Sequence, residues 1–180
     1  MSSTQPIKAP TASTVLLPAL SLRLCKLLQD AVLAGGFCPG ATVRPTQPRD
    51  LTKEQADGIT LTLVGLHQSA GVRNTPVRSR LAAPPQATWV ESHYVVTAWS
   101  TQIPMQQWML ATALRQLSNQ IVVTARELVH PFSPGADLGC DPRTGFRLSI
   151  TSLTTDQVSA LLVPALPPSL LLVAGSIELT

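Results

Sequence analysis

The chain has 180 residues, enough for one domain with a real core. It is 44% hydrophobic and only 13% charged, about half the charged share of an ordinary soluble domain, as expected where other subunits cover much of the surface or where a monomer's surface is rich in Ser, Thr, Gln and Pro. The net charge of +3 is too small by itself to argue for nucleic-acid binding, and no apolar stretch reaches the ~18 uninterrupted residues of a membrane span.

Residues 1–17 are rich in Ser, Thr, Pro and Gln, which predicts a flexible arm, and the first ten lack a signal peptide's apolar core. One domain is expected over 18–180. Pro18 suits the first turn of a helix. Leu20, Leu24, Leu27, Leu28 and Ala31 then recur at helical spacing, with Arg23, Lys26 and Asp30 off that stripe. Gly35 and Gly36 end the helix. Three prolines between Pro39 and Pro48 suit an edge strand or an extended link.

Asp57-Gly58 marks a turn. Ile59, Leu61 and Leu63 alternate with Thr60 and Thr62, the period of a half-buried strand running to about His67. Residues 68–88 read as a long loop, and such loops in compact domains are usually functional or disordered. From Asp57 to Glu91 the only charges between the ends are Arg73, Arg78 and Arg80, and from Ser92 to Arg126 there is no acid. In a ring of identical subunits this bias would multiply and steer a partner of opposite sign. A solvated loop with scattered arginines explains it equally well.

Trp89 to Ser100 is the next strand. Val90, Tyr94 and Val96 make one face apolar; Trp89, Val95 and Trp99 do the same for the other. A strand apolar on both faces is expected to be central, with something packed on each side. Pro104 opens a second helix whose predicted stripe is Leu110, Ala113, Leu114 and Leu117. Ile121 to Val123 fits either a helix end or a short strand. Residues 124–143 are mostly loop. Phe146, Leu148 and Ile150 alternate with Arg147, Ser149 and Thr151 as a further strand. Thr154 and Gln157 have capping-box spacing ahead of a short helix that stops near Pro164. Leu170 to Leu179 is a last strand. The fold class is therefore α+β: a mixed, mostly antiparallel sheet of about four strands flanked by about three helices.

The search for chemistry is mostly negative. The chain has no GxSxG, P-loop, GxGxxG or HExxH motif. Cys25, Cys38 and Cys140 give neither a disulfide framework nor a CxxC pair, which fits synthesis in a reducing compartment, and Cys25 reads as a small core residue. Ser92 and His93 are strand neighbours on opposite faces and so cannot act as a nucleophile and its base. His93 reads as a packed or hydrogen-bonded strand residue. Carboxylates are too dispersed for a paired-acid site. No catalytic residue, metal or cofactor is expected. Trp89, Trp99 and Trp108 fit core packing, or an interface anchor for one of them.

The run Trp89-Val90-Glu91-Ser92-His93-Tyr94-Val95-Val96-Thr97-Ala98-Trp99 resembles a strand of the cap, or tail terminator, proteins of extracellular contractile injection systems of the virulence-cassette and antifeeding-prophage type, relatives of contractile phage tail terminators. There an aliphatic-His-Tyr-aliphatic-aliphatic-Thr-Ala segment follows a proline-rich loop. The following helix resembles theirs through Gln107, Met109, Leu110, Ala111, Ala113 and Leu117. The Arg73-Asn74 loop, Leu148 to Thr151 and the terminal strand fit in order. The likeness covers about residues 18–179, and its most specific part is His93 to Ala98. The chain departs from its relatives at Leu161 and Leu162, where they often carry Trp, and at Ala174 and Gly175, where they often carry Tyr.

The resemblance implies a structural, non-enzymatic subunit: a ring, homo-hexameric, on the distal end of the particle, ending inner-tube growth and anchoring the last sheath layer. Its partners would be itself, the tube protein and the sheath protein, with no membrane, and with nucleic acid only in a true phage tail. Its place would be cytoplasmic at assembly and then in a particle that is released. Arg73, Asn74, Arg78, Arg80, Trp89, Trp99 and Trp108 are candidate interface residues. His93, Tyr94, Thr97, Ala98 and Leu110 are architectural in this resemblance. A phage completion protein, a small ligand-binding domain and a basic nucleic-acid module are the alternatives.

Overall fold

The computed structural model describes residues 12–47, 57–68, 88–151 and 169–179. In chain order these form α1 (Ala12–Ala34), β1 (Thr42–Thr46), β2 (Gly58–Gln68), β3 (Thr88–Trp99), α2 (Ile103–Asn119), β4 (Val122–Thr124), a 3-10 turn (Ala125–Glu127), β5 (Gly145–Thr151) and β6 (Ser169–Leu179). The strands make one six-stranded sheet in the order β1-β2-β3-β6-β5-β4. Only β1 and β2 pair in parallel; every other neighbour is antiparallel. The mixed, mostly antiparallel α+β class is therefore the observed one, with different counts: two α-helices and six strands among the described residues.

The two additional strands lie at the sheet's ends. Proline-containing β1 is an edge, where the missing N–H of Pro45 breaks no ladder between two neighbours. Three-residue β4 is the other edge, which resolves Ile121 to Val123 as strand. The predicted third helix, near 154–163, lies outside the described residues.

Alternation sorts the sheet into two faces. One carries Ile59 and Leu61 on β2, Tyr94, Val96 and Ala98 on β3, Leu172 and Ala174 on β6, and Phe146 and Leu148 on β5, all buried. The registers place Ile59 opposite Ala98, Leu61 opposite Val96, and Tyr94 opposite Leu172. Both helices pack on this face and touch each other. From α1 the face receives Val15, Leu16, Ala19, Leu20, Leu24, Leu28 and Val32; from α2 it receives Met109, Ala113 and Leu117.

Two helix expectations need correction. α1 begins at Ala12, so the stretch 12–17 is helical, and only residues 1–11 of the predicted arm lie outside the described residues. Pro18 is inside the helix and not at its start. An interior proline costs roughly 3 kcal/mol. Val15 and Leu16, fully or nearly fully buried on the preceding turn, offset that by about 1.5–3 kcal/mol each. On α2 the buried ridge is Met109, Ala113, Leu117 with Thr112, an i, i+4, i+8 row; Leu114 is exposed and Leu110 half-buried. The sequence stripe was rotated by about one residue, because leucine outweighs methionine and alanine in a simple hydrophobic pattern.

The parallel β1–β2 pair brings two backbones close. Gly58 lies opposite Thr42, and a Cβ on Gly58 would fall 2.0 Å from the Thr42 carbonyl oxygen. Only glycine fits this approach. Gly58→Ala is expected to lower unfolding free energy by about 2–3 kcal/mol, the usual cost of a forced overlap. Urea denaturation checks this; an unchanged midpoint would contradict the β1–β2 register.

Candidate functional site

β3 was the strand singled out by sequence, and the structure places it at the centre, bonded to β2 on one edge and β6 on the other. Both of its faces are buried, as the double apolar pattern requires. Beneath the helices, Tyr94 is 1% exposed. Its hydroxyl lies 3.0 Å from Ser21 Oγ on α1, while Ser21 Oγ donates to the Leu17 carbonyl at 3.0 Å. The single serine proton is thus committed, so the tyrosine hydroxyl is the donor between them. Burial pushes the Tyr94 phenol above its ordinary pKa. Ser92 donates to the Ala174 carbonyl of β6 at 3.3 Å.

On the opposite face, Thr60, Thr62, Val95, Thr97, Trp99 and Leu171 are buried as well. Trp99 Nε1 donates to Thr60 Oγ1 at 2.9 Å, and the hydroxyls of Thr97 and Ser169 meet at 2.9 Å. Trp99 is therefore a core residue that ties β3 to β2. Ala98 is fully buried on the helix side. The motif from His93 to Ala98 thus has one architectural role per side chain: alternate residues supply the two faces.

Trp108 behaves differently. It is half-buried on α2, and its ring packs on Phe37 at a centroid distance of 5.3 Å. Phe37 is 70% exposed. A shallow hollow beside them is lined by Trp108, Ala111, Thr112 and Arg115. Trp99 is buried, whereas Trp108 is only half-buried and packs against the edge of the core. Trp89 is placed on β3, while Arg73, Asn74, Arg78 and Arg80 lie outside the described residues.

Sequence reasoning missed a feature of the second face. His67 near the end of β2 and His93 on β3 stack their imidazoles at 4.2 Å, with 34° between the rings. The strand period already put each histidine on a strand, but the twenty-odd residues between them hid the register that brings them together. Burial pulls the His93 pKa below its ordinary value, a charge on His67 lowers it further, and Glu91 opposes both. His93 Nε2 is buried and finds no hydrogen-bond partner among the described residues. Elsewhere, Arg23 on α1 pairs with Glu127 at 2.7 Å, and Glu127 also accepts from the Thr124 amide at 3.0 Å, fixing the turn after β4 to the helix. Their hollow, about 160 Å³, is lined by Leu22, Lys26 and Val129 besides.

Cys25 is buried, and burial pushes its thiol up to about 12. Among the described residues no three His, Cys, Asp or Glu side chains gather as a metal-binding group. No described helix is long and apolar enough to cross a membrane.

Comparison with known proteins gives the geometry a context. The family model described as the Pvc16 N-terminal domain matches residues 21–163. Among solved structures, the sheath/tube terminator of PVC, an extracellular contractile injection system seen by cryo-EM in its extended state, is similar with a TM-score of 0.50 and 14% identity. The alignment covers 88% of this chain and 55% of that one, so the chain spans just over half of the terminator's length. No protein of curated function is similar in sequence.

Two measurements check the site. Tyr94→Phe should cost about 1 kcal/mol of stability, the worth of one hydrogen bond, and its effect should not add to that of Ser21→Ala; additive losses would show that the two hydroxyls are not coupled. In the folded protein at pH 8, Cys25 should resist iodoacetamide until denaturant is added. Labelling at the rate of a free thiol would contradict the burial described.

Proposed function

Because the chain belongs to the Pvc16 N-terminal domain family, we propose that it is a terminator subunit of a contractile injection particle. Its copies close into a sixfold ring on the distal end of the inner tube. The ring ends tube growth and anchors the last layer of sheath. The role is structural, and no catalytic step is assigned to it. Assembly takes place in the cytoplasm of the producing cell, and the finished particle carries the subunit outside.

The physical need for such a part is plain. An open tube end presents unpaired strand edges and apolar surface that recruit further subunits. A ring that fits the tube on one face only removes that surface, and closed cyclic symmetry lets one small chain cover the whole rim.

The observation that carries this reading, beside the family and the fold, is the chain's exposed apolar surface. Phe37, Ile103, Phe132, Val129 and Ile121 are each 60% or more exposed. They sit on a chain with only 13% charged residues. Large apolar side chains in that number, spread over the connections and helix ends, fit a subunit covered by neighbours. Charge polarity supports it further: the α2 face carries Arg115, and no acid occurs from Ser92 to Arg126.

Light scattering and electron microscopy of the purified protein test the reading together. Closed rings with the mass of six subunits are the expected result; a chain that stays monomeric at high concentration would exclude it. Deleting residues 1–11, which precede the helix, should leave the fold intact and loosen sheath attachment in co-assembled particles. Full sheath retention in that variant would remove the terminal segment from the sheath contact.

A further inference from the structure

β2 and β3 form the longest antiparallel pair in the sheet, and residues 69–87 connect them. The ladder runs from Gly58 opposite Trp99 to Gln68 opposite Val90. At the far end two rows of the second face hold polar groups. One row contains Gly65 on β2, His93 on β3, Val173 on β6 and Ser149 on β5. Next to it His67 pairs with Glu91 and Gly175 with Arg147, and a Cβ on Gly175 would lie 3.7 Å from Glu91 Cγ, across a shift in the β3–β6 register. Gly65 matters here because it has no side chain: a Cβ on it would fall 3.0 Å from His67 Nε2. The His67 ring therefore leans back over Gly65 and reaches the His93 ring, 4.2 Å away.

We propose that His67 and His93 form an acid-sensitive latch on the end of the β2–β3 ladder remote from Gly58 and Trp99. With both imidazoles neutral, the rings pack at 34° to each other and hold that end closed. One proton on the pair is tolerated, because a cation beside a neutral ring is attracted to it. A second proton places two like charges about 4 Å apart, on a face where His93 is already partly removed from water. The stack then opens, and the last rungs of the ladder, Gly65 to Gln68 against Val90 to His93, open with it.

The groups facing the pair set the direction. On β3 Glu91 is the neighbouring carboxylate, and it favours protonation of His93 more weakly than burial and His67 oppose it. β6 places Val173 opposite His93, with Glu178 further along opposite Trp89. Arg147 on β5 lies in the Glu91 row and adds a positive charge. Since the folded His93 holds its proton less tightly than the unfolded residue, its contribution to stability is complete above the ordinary histidine value. It falls away as pH drops through that value towards the lower folded one. The latch is therefore closed at neutral pH and opens under mild acid. This goes beyond the terminator role and does not depend on it.

Hydrogen exchange of the full-length protein at pH 7.5 and pH 5.5, corrected for the intrinsic rate, tests it. Amides of residues 65–68 and 90–93 should lose protection several-fold on acidification, because the folded His93 holds its proton less tightly than the unfolded residue, while those of Ile59 to Leu61 stay protected. In His93→Gln the acid response should disappear, and in His67→Gln it should shrink to what burial of His93 alone leaves, with protection at pH 7.5 retained within a few-fold. An equal acid response in the variants, or none in the parent, overturns the latch. If either variant fails to fold, NMR titration of the parent decides: coupled, two-step titration of the two imidazoles supports it. Independent titration of both at the ordinary histidine value refutes it.

Discussion

The fold hangs on one strand being buried on both faces and bonded on both edges. β3 donates Tyr94, Val96 and Ala98 to the helix side and Val95, Thr97 and Trp99 to the other. A strand in that position has no solvent face on which to place ordinary polar residues. Its polar groups must therefore look for partners within the protein, and Tyr94, Trp99, Thr97 and Ser92 find them in Ser21, Thr60, Ser169 and the Ala174 carbonyl, while His93 Nε2 has none among the described residues. For this reason the His93-to-Ala98 segment is so particular in its residue types. Each side chain is fitted to a different wall.

That constraint also decides what sequence could reveal. β3 was legible because apolar residues on both faces of a strand mark one that is enclosed on both sides, and β2, β5 and β6 were legible from their alternation or apolar runs. β1 and β4 were legible only as one of two options each, an edge strand or an extended link and a short strand or a helix end, since five- and three-residue strands contain too few residues for a period. The start of α1 was misread because Pro18 resembles a helix opener, although tertiary burial of Val15 and Leu16 carries the helix back to Ala12. Trp99 and Trp108 looked alike in sequence. Only the fold separates a core anchor, bonded to Thr60, from an aromatic resting on the exposed Phe37. The histidine stack was invisible for a different reason: register across a long connection is not written in local periodicity.

Magnitudes limit how such a chain associates. A wholly covered aromatic side chain removes roughly 150–250 Å² from water, about 4–6 kcal/mol at 25 cal/mol per Å². Association itself costs roughly 4–15 kcal/mol before any ordering of side chains. One residue such as Phe37 therefore cannot hold a ring together. Contacts on several elements must act at once, and exposed apolar side chains do occur on α2, on the segments flanking β4 and after α1. A closed ring satisfies this requirement, because each subunit uses two surfaces and leaves neither bare. The sparse charge of the chain fits the proposed ring, since a surface covered by neighbours would gain little from ions that must be desolvated.

The central claim is that this chain fits the last layer of a growing tube. Its most direct test is the length distribution of tubes polymerised from the matching tube protein, with and without the chain added after nucleation. The account predicts that substoichiometric amounts stop elongation, with the chain found at one end of each tube. Tubes that continue to lengthen, or that carry the chain scattered along their sides, would contradict it.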